Sequence, residues 1–219
     1  FDLLAAPLAA SPCGAVYVPL DTNAPIERQA YMVAACGARV FLTLASEPQV
    51  ACTARVELDR CPLAGYPANA PGITVSAQGP AYVMYTSGST GEAKGVLVTH
   101  QAIARLVINN GFATFNAQDR VAFASNPAFD ASTLEVWAPL PHGGAVVVVD
   151  QHPVLSREAL RDVLMEQSVR VLWLPAGPFH PFADALLPAS AQLRYLTVGG
   201  HSPDPQVVHR GTPGGPPAH

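Results

Sequence analysis

The sequence has little charge. Only 13% of its 219 residues are Asp, Glu, Lys or Arg, and 12 basic side chains face 16 acidic ones, for a net charge of −4. That balance leaves no basic patch for nucleic acid. No apolar run approaches the roughly 20 residues of a membrane-spanning helix, and the first ten residues lack the basic segment of a secretory leader. No membrane association and a cytoplasmic location are therefore expected. The four cysteines, Cys13, Cys36, Cys52 and Cys61, show no C-x-x-C spacing and are expected to be reduced. The seven histidines are scattered, without H-E-x-x-H or an i, i+4 pair, so no metal held by side chains is expected. A serine-hydrolase elbow, G-x-S-x-G, is missing. So is a Walker A loop, whose lysine is followed by Ser or Thr and opens a helix.

What is present is a chain that is 49% hydrophobic, long enough to bury a core and balanced for a globular α/β fold. Its centre is the stretch 85–95, Tyr85-Thr86-Ser87-Gly88-Ser89-Thr90-Gly91-Glu92-Ala93-Lys94-Gly95. Glycine permits the positive φ that turns successive amides inward, the Ser and Thr hydroxyls add donors, and Lys94 adds a mobile charge, which together suit a polyphosphate. A flexible surface hairpin is the other reading of the same residues. Apolar runs at 81–85 and 96–98 flank the stretch, so it reads as strand, loop and strand, followed by a helix over 100–109 capped by Thr99.

Elsewhere, an apolar helical lead-in is expected over 2–10. A strand at 15–20, a helix beginning after Pro25 and stopping at Gly37, and a strand at 39–43 would form a βαβ unit with a parallel sheet. Residues 47–79 read as connection apart from a strand at 55–58. Strands are expected at 120–124, 145–149, 169–174 and 193–198, with helices at 157–167 (capped by Ser156) and 179–187. Ser132-Thr133-Leu134-Glu135 fits a capping box in which Ser132 caps and Glu135 reaches back, leaving Asp130 without a structural task. Ligands sit at the C-terminal ends of parallel strands, which makes the residues after Leu174 and around Val198 candidate pocket walls.

The stretch 85–95 resembles the signature loop of the adenylate-forming enzymes, Thr-Ser-Gly-[Ser/Thr]-Thr-Gly-x-Pro-Lys-Gly, with Ala93 in place of the proline. Residues 13–21 with Pro25-Ile26-Glu27-Arg28 and Tyr31-Met32 resemble the upstream core motif of adenylation domains from nonribosomal peptide synthetases. Phe129-Asp130-Ala131-Ser132 resembles their amino-acid-anchoring motif. The resemblance implies a partial AMP-binding domain over 1–210, part of a large N-terminal subdomain of mostly parallel βαβ layers, with an irregular tail at 211–219.

What it implies for chemistry is carboxylate activation: an amino acid and Mg-ATP give an aminoacyl-adenylate and pyrophosphate, and a phosphopantetheine thiol on a carrier domain then captures the acyl group. In that scheme Thr86, Ser87, Gly88, Ser89, Thr90 and Gly91 bind the phosphates and Lys94 neutralises the departing pyrophosphate. Ala93 is expected to loosen the turn and weaken ATP binding. Asp130 pairs with the substrate ammonium, and Phe129, Ala131, Leu134, Gly177, Leu196 and Val198 line the pocket. Carrier and condensation domains of the same synthetase are the implied partners. The adenine-binding motif and the family's catalytic lysine have no counterpart in these residues, so no adenylation by residues 1–219 alone is expected. The rivals are an acyl-CoA or aryl-acid ligase of the same superfamily and a non-catalytic remnant of the fold.

Overall fold

The computed structural model describes residues 2–47, 50–62, 64–87, 93–149 and 156–200. The loop core 88–92 and the C-terminal 201–219 lie outside them. The chain divides into two units, Phe1–Ile103 with Pro127–Phe129, and Ala104–Asn126 with Asp130–His219.

In the first unit, α1 (Asp2–Ala10) leads through a short 3-10 turn to α2 (Ile26–Cys36), which stops where Gly37 takes φ +64 and its N–H donates to Val33 and Ala34 carbonyls. A positive φ is what glycine supplies at a helix end. Strand β1 (Val40–Thr43) then pairs in parallel with β2 (Ala54–Glu57). The strand expected at 15–20 does not form. Tyr17 alone makes a parallel bridge, its N–H donating to the Ala81 carbonyl at 3.2 Å and its carbonyl accepting from Val83 at 3.0 Å. Pro19 has no N–H with which to continue a ladder, and Asp21 turns the chain by accepting from the Asn23 N–H at 2.9 Å. The first βαβ unit is therefore reduced to a helix followed by a strand whose partner lies downstream.

The two strands expected on either side of the loop are present and form a hairpin. Strands β3 (Pro80–Ser87) and β4 (Ala93–Thr99) pair antiparallel, with Tyr85 opposite Gly95, Thr86 opposite Lys94 and Ser87 opposite Ala93. Thr99 caps the next helix, its Oγ1 accepting from the Ala102 N–H at 3.2 Å. That helix, α3 (His100–Val107), ends two residues short of expectation because Asn109 sits at φ +51, outside helical space.

The second unit is built on four parallel strands in the order β6-β5-β7-β8: β5 (Arg120–Phe123), β6 (Ala145–Val148), β7 (Val171–Pro175) and β8 (Tyr195–Gly199). Helix α4 (Ala131–Trp137) follows β5. Helix α5 (Arg157–Glu166) precedes β7 and α6 (Ala176–Ser190) follows it. Ser156 caps α5 as expected, accepting from the Ala159 N–H at 3.4 Å, while α6 extends past 179–187 at both ends.

Strand alternation places the core. Ala122, Leu172, Leu174, Leu196 and Val198 join Leu160, Leu164 and Leu186 of α5 and α6 in one cluster. Val121 and Val171 join Val107, Phe115 and Ala138 in another. Each fully buried leucine contributes up to about 2 kcal/mol. A tight turn lets β6 start beside β5: the Ala145 N–H donates to the Asp119 carbonyl at 2.9 Å, and a Cβ on Gly144 would stand 2.6 Å from that same oxygen. Gly144→Ala is therefore expected to cost about 2 kcal/mol through forced backbone displacement. A thermal midpoint matching that of wild type would contradict it.

Candidate functional site

Each unit carries its own group of candidate residues. In the first, the alternating faces of the β3–β4 hairpin divide the work. Tyr82 and Met84 are buried, whereas Val83, Tyr85, Gly95 and Leu97 face an open groove of about 470 Å³ whose other wall is Tyr31, Ala35 and Cys36 of α2. Gly95 lets this wall close: a Cβ there would stand 3.0 Å from a Val83 methyl and 3.4 Å from the Tyr85 ring. Tyr85 reaches over the missing side chain and donates its hydroxyl to the Met32 carbonyl at 3.1 Å, tying hairpin to helix. Burial, followed by the neighbouring Cys36 thiol and Tyr31 phenol, pushes the Tyr85 hydroxyl above its usual value, so it remains a donor at neutral pH.

This tie orients the end of the hairpin from which the loop leaves. Thr86 and Lys94 are directly opposite each other and exposed, and Lys94 lines the rim of the groove. Ser87 is the last residue of β3, opposite Ala93. Gly88, Ser89, Thr90 and Gly91 fall in the part of the loop outside the described residues. A hydroxyl and an ammonium held on paired strands at the mouth of a Gly/Ser/Thr loop form a donor set suited to an anion with several oxygens.

In the second unit, parallel strands send all their C-terminal ends to one edge. Asp130 follows β5 and Gly177 follows β7 at that edge. Asp130 occupies the position preceding α4, is exposed, and its carboxylate makes no capping hydrogen bond. Phe129 beside it is 59% exposed. The capping box is a correction. The helix begins at Ala131, which puts Ser132 inside its first turn and buried, and Glu135 turns toward the preceding strand instead of the helix start. Two donors draw it there: the Ser125 hydroxyl reaches Oε1 at 2.9 Å and the Ser125 N–H reaches Oε2 at 3.1 Å. The inference that Asp130 has no capping duty stands, but for a different reason.

Glu135 is 1% exposed, and burial outweighs the bonds from Ser125 and Ala124, raising its carboxyl to about 7.

The proposed walls are not all brought together. Ala131 and Leu134 are half-buried on α4, with Leu134 packed against the Val121–Val171 cluster, and Gly177 is exposed in the first turn of α6 with no atom near a Cβ position. Leu196, 1% exposed, and Val198 lie in the other cluster, under α5 and α6. On the opposite face of β8, Gly199 carries the Trp173 indole, whose Nε1 is 3.2 Å from where a Cβ would be. Sequence reasoning missed Tyr85, Trp173 and the Ser125–Glu135 pair. The first could have been read from the facing glycine. The other two depend on partners 10 or more residues away.

Among the described residues no helix is long and apolar enough to cross a membrane, and no group of three His, Cys, Asp or Glu stands ready for a metal ion.

Comparison with known proteins agrees with this geometry. Residues 1–214 match the family described as AMP-binding enzyme. Malpibaldin synthetase of Mortierella alpina is 45% identical over 204 residues, covering 91% of this chain and 4% of that protein. Gramicidin S synthase 2 of Brevibacillus brevis is 33% identical over 202 residues, covering 90% and 4%. The chain thus spans less than a tenth of these curated relatives. Among solved structures, PA1221, described as an NRPS protein containing adenylation and PCP domains, superposes with a TM-score of 0.83 at 30% identity over 95% of this chain and 42% of that one. The N-terminal subdomain of Klebsiella oxytoca NpsA superposes with a TM-score of 0.77 at 26% identity, over 94% and 54%. By sequence and by fold alike, the chain belongs to the AMP-binding enzyme family, as part of the N-terminal subdomain of an adenylation domain of the nonribosomal peptide synthetase type.

Proposed function

We propose that the protein containing this chain activates an amino acid: the substrate carboxylate attacks the α-phosphate of ATP, pyrophosphate departs, and the aminoacyl-adenylate passes to a phosphopantetheine thiol on a carrier domain. A carboxylate is a poor electrophile until one of its oxygens becomes a good leaving group, which AMP provides. The observation that carries the reading is the pairing of Thr86 with Lys94 across the mouth of the Gly/Ser/Thr loop.

In this reading Thr86, Ser87, Gly88, Ser89, Thr90 and Gly91 donate to the β- and γ-phosphates, and Lys94 offsets the charge that builds on the leaving pyrophosphate. Mg²⁺ arrives with the nucleotide, coordinated mainly by phosphate oxygens and water. Asp130, exposed and uncommitted to the helix, accepts the substrate ammonium. Phe129, Ala131, Leu134 and Gly177 border the side chain, with Leu196 and Val198 shaping the sheet behind it. The ammonium partner favours an amino acid over the aryl or fatty acid of a related ligase. Carrier and condensation domains are the proposed partners, which the adenylation and PCP domains of PA1221 support on the carrier side.

Amino-acid-dependent ATP–pyrophosphate exchange by the intact protein tests this. Asp130→Ala is expected to raise the KM for the preferred amino acid about 30-fold, or about 2 kcal/mol, as for a lost charge-assisted pair. The des-amino analogue is expected to be a poor substrate for both proteins. Unchanged exchange kinetics in Asp130→Ala would overturn the assignment.

A further inference from the structure

We infer that Glu135 is a positioning residue for the acid-binding site: it holds the turn 126–130 that presents Asp130, and so sets the affinity for the acid without touching it. The inference rests on the role proposed above for Asp130.

The geometry is a closed ring. Ser125 lies two residues beyond the end of β5, Glu135 lies in α4, and Asp130 is midway between them in sequence. Both carboxylate oxygens of Glu135 are committed to Ser125, one to its hydroxyl and one to its N–H. These two bonds fix where the chain leaves the strand relative to the helix it enters, so the turn between them is pinned at both ends.

The side chain is also costly at this place. Glu135 is buried, as are Ser132, Thr133 and Val136 of its own helix, and among the described residues it forms no ion pair. An apolar side chain of similar volume would avoid the desolvation that a buried carboxyl incurs. What an apolar residue cannot do is accept from the half-buried Ser125, whose N–H and O–H would then lose the partner they have here. The acid specifies the turn at the expense of stability.

The test has two arms on the intact protein. In hydrogen–deuterium exchange, Glu135→Ala is expected to speed exchange of amides in 126–130 at least tenfold while those of β7 and β8 are unchanged. Glu135→Gln, whose amide oxygen still accepts from the Ser125 N–H, is expected to keep at least wild-type protection. In pyrophosphate exchange, Glu135→Ala is expected to raise the KM for the amino acid at least tenfold and that for ATP less than twofold, with Glu135→Gln within threefold of wild type for both.

Should Glu135→Ala not fold, Ser125→Ala, which removes only the hydroxyl, is expected to show the same regional pattern at smaller amplitude. Unchanged protection of 126–130, loss of protection spread evenly over the sheet, or equal rises in both KM values would overturn the inference. If the wild-type protein exchanges pyrophosphate with no amino acid, the functional reading fails by itself, and the deuterium arm still decides whether Glu135 holds the turn.

Discussion

Arg194→Met is expected to lower the free energy of unfolding by about 3 kcal/mol, the cost of removing one partner from a buried ion pair. Asp119, at the entrance to β5, is 0% exposed, and both of its oxygens lie 2.6 Å from Arg194 Nη1 at the entrance to β8. Asp119 Oδ2 also accepts from the Asn116 N–H at 2.8 Å, and Arg194 Nη2 donates to the Thr114 carbonyl at 3.0 Å. The guanidinium lies 5.2 Å from the Tyr195 ring centre, and the Tyr195 hydroxyl accepts from the Thr114 N–H at 3.0 Å.

The pair thus sews the loop before β5 to a strand 75 residues later. Methionine keeps the apolar stem and removes every one of the guanidinium donors. Arg170, whose Nε is 4.0 Å from Asp119 Oδ1, is too distant to replace the fork, though its charge limits the loss. Arg194→Lys is expected to fall between, since an ammonium cannot bridge both oxygens and the Thr114 carbonyl in the same way. Urea unfolding followed by circular dichroism measures the loss. A change below about 1 kcal/mol, the scale of an exposed pair, would show that the carboxylate is satisfied without Arg194.

The second large effect is a pH dependence. Glu135 titrates in the folded protein at about 7 instead of 4.5, chiefly because burial disfavours its ionised form. The native state therefore holds a proton that the unfolded state releases between these values. The stability this contributes is complete below pH 4.5 and is lost as pH rises through 7. The displacement corresponds to about 3 kcal/mol. Glu135→Gln cannot ionise, so the variant is expected to match wild type at the acid end of this range and to exceed it by about 3 kcal/mol above the folded-state value. Because other groups titrate identically in the two proteins, the difference between their unfolding curves isolates Glu135. A difference that does not change with pH across the range would refute the assignment.

Much of the architecture was legible locally. Helix stops and starts at Gly37, Thr99 and Ser156 depend on residues within four positions, and strands β3 and β4 followed from a polar loop between two apolar runs. Errors arose where a local signal competed with a distant partner. The alternation at 15–20 reads as a strand, but only Tyr17 forms a bridge to a neighbouring strand. The S-x-x-E pattern at Ser132 is sound as a pattern. It fails because Ser125 offers Glu135 two donors in a buried setting, where unmet hydrogen bonds cost most.

From the sequence alone came the chain's α/β character, its phosphate-type loop, the residues able to grip an anion or an ammonium, and the kinship they imply. Those depend on residue type and short spacing. The order β6-β5-β7-β8, the burial of Leu196 and Val198 beneath two helices, the pairing of Asp119 with Arg194 and the use of Glu135 to hold the turn before α4 belonged to the tertiary structure. Each depends on which surfaces lose water together, a choice made between segments far apart in the chain that no window of neighbouring residues contains.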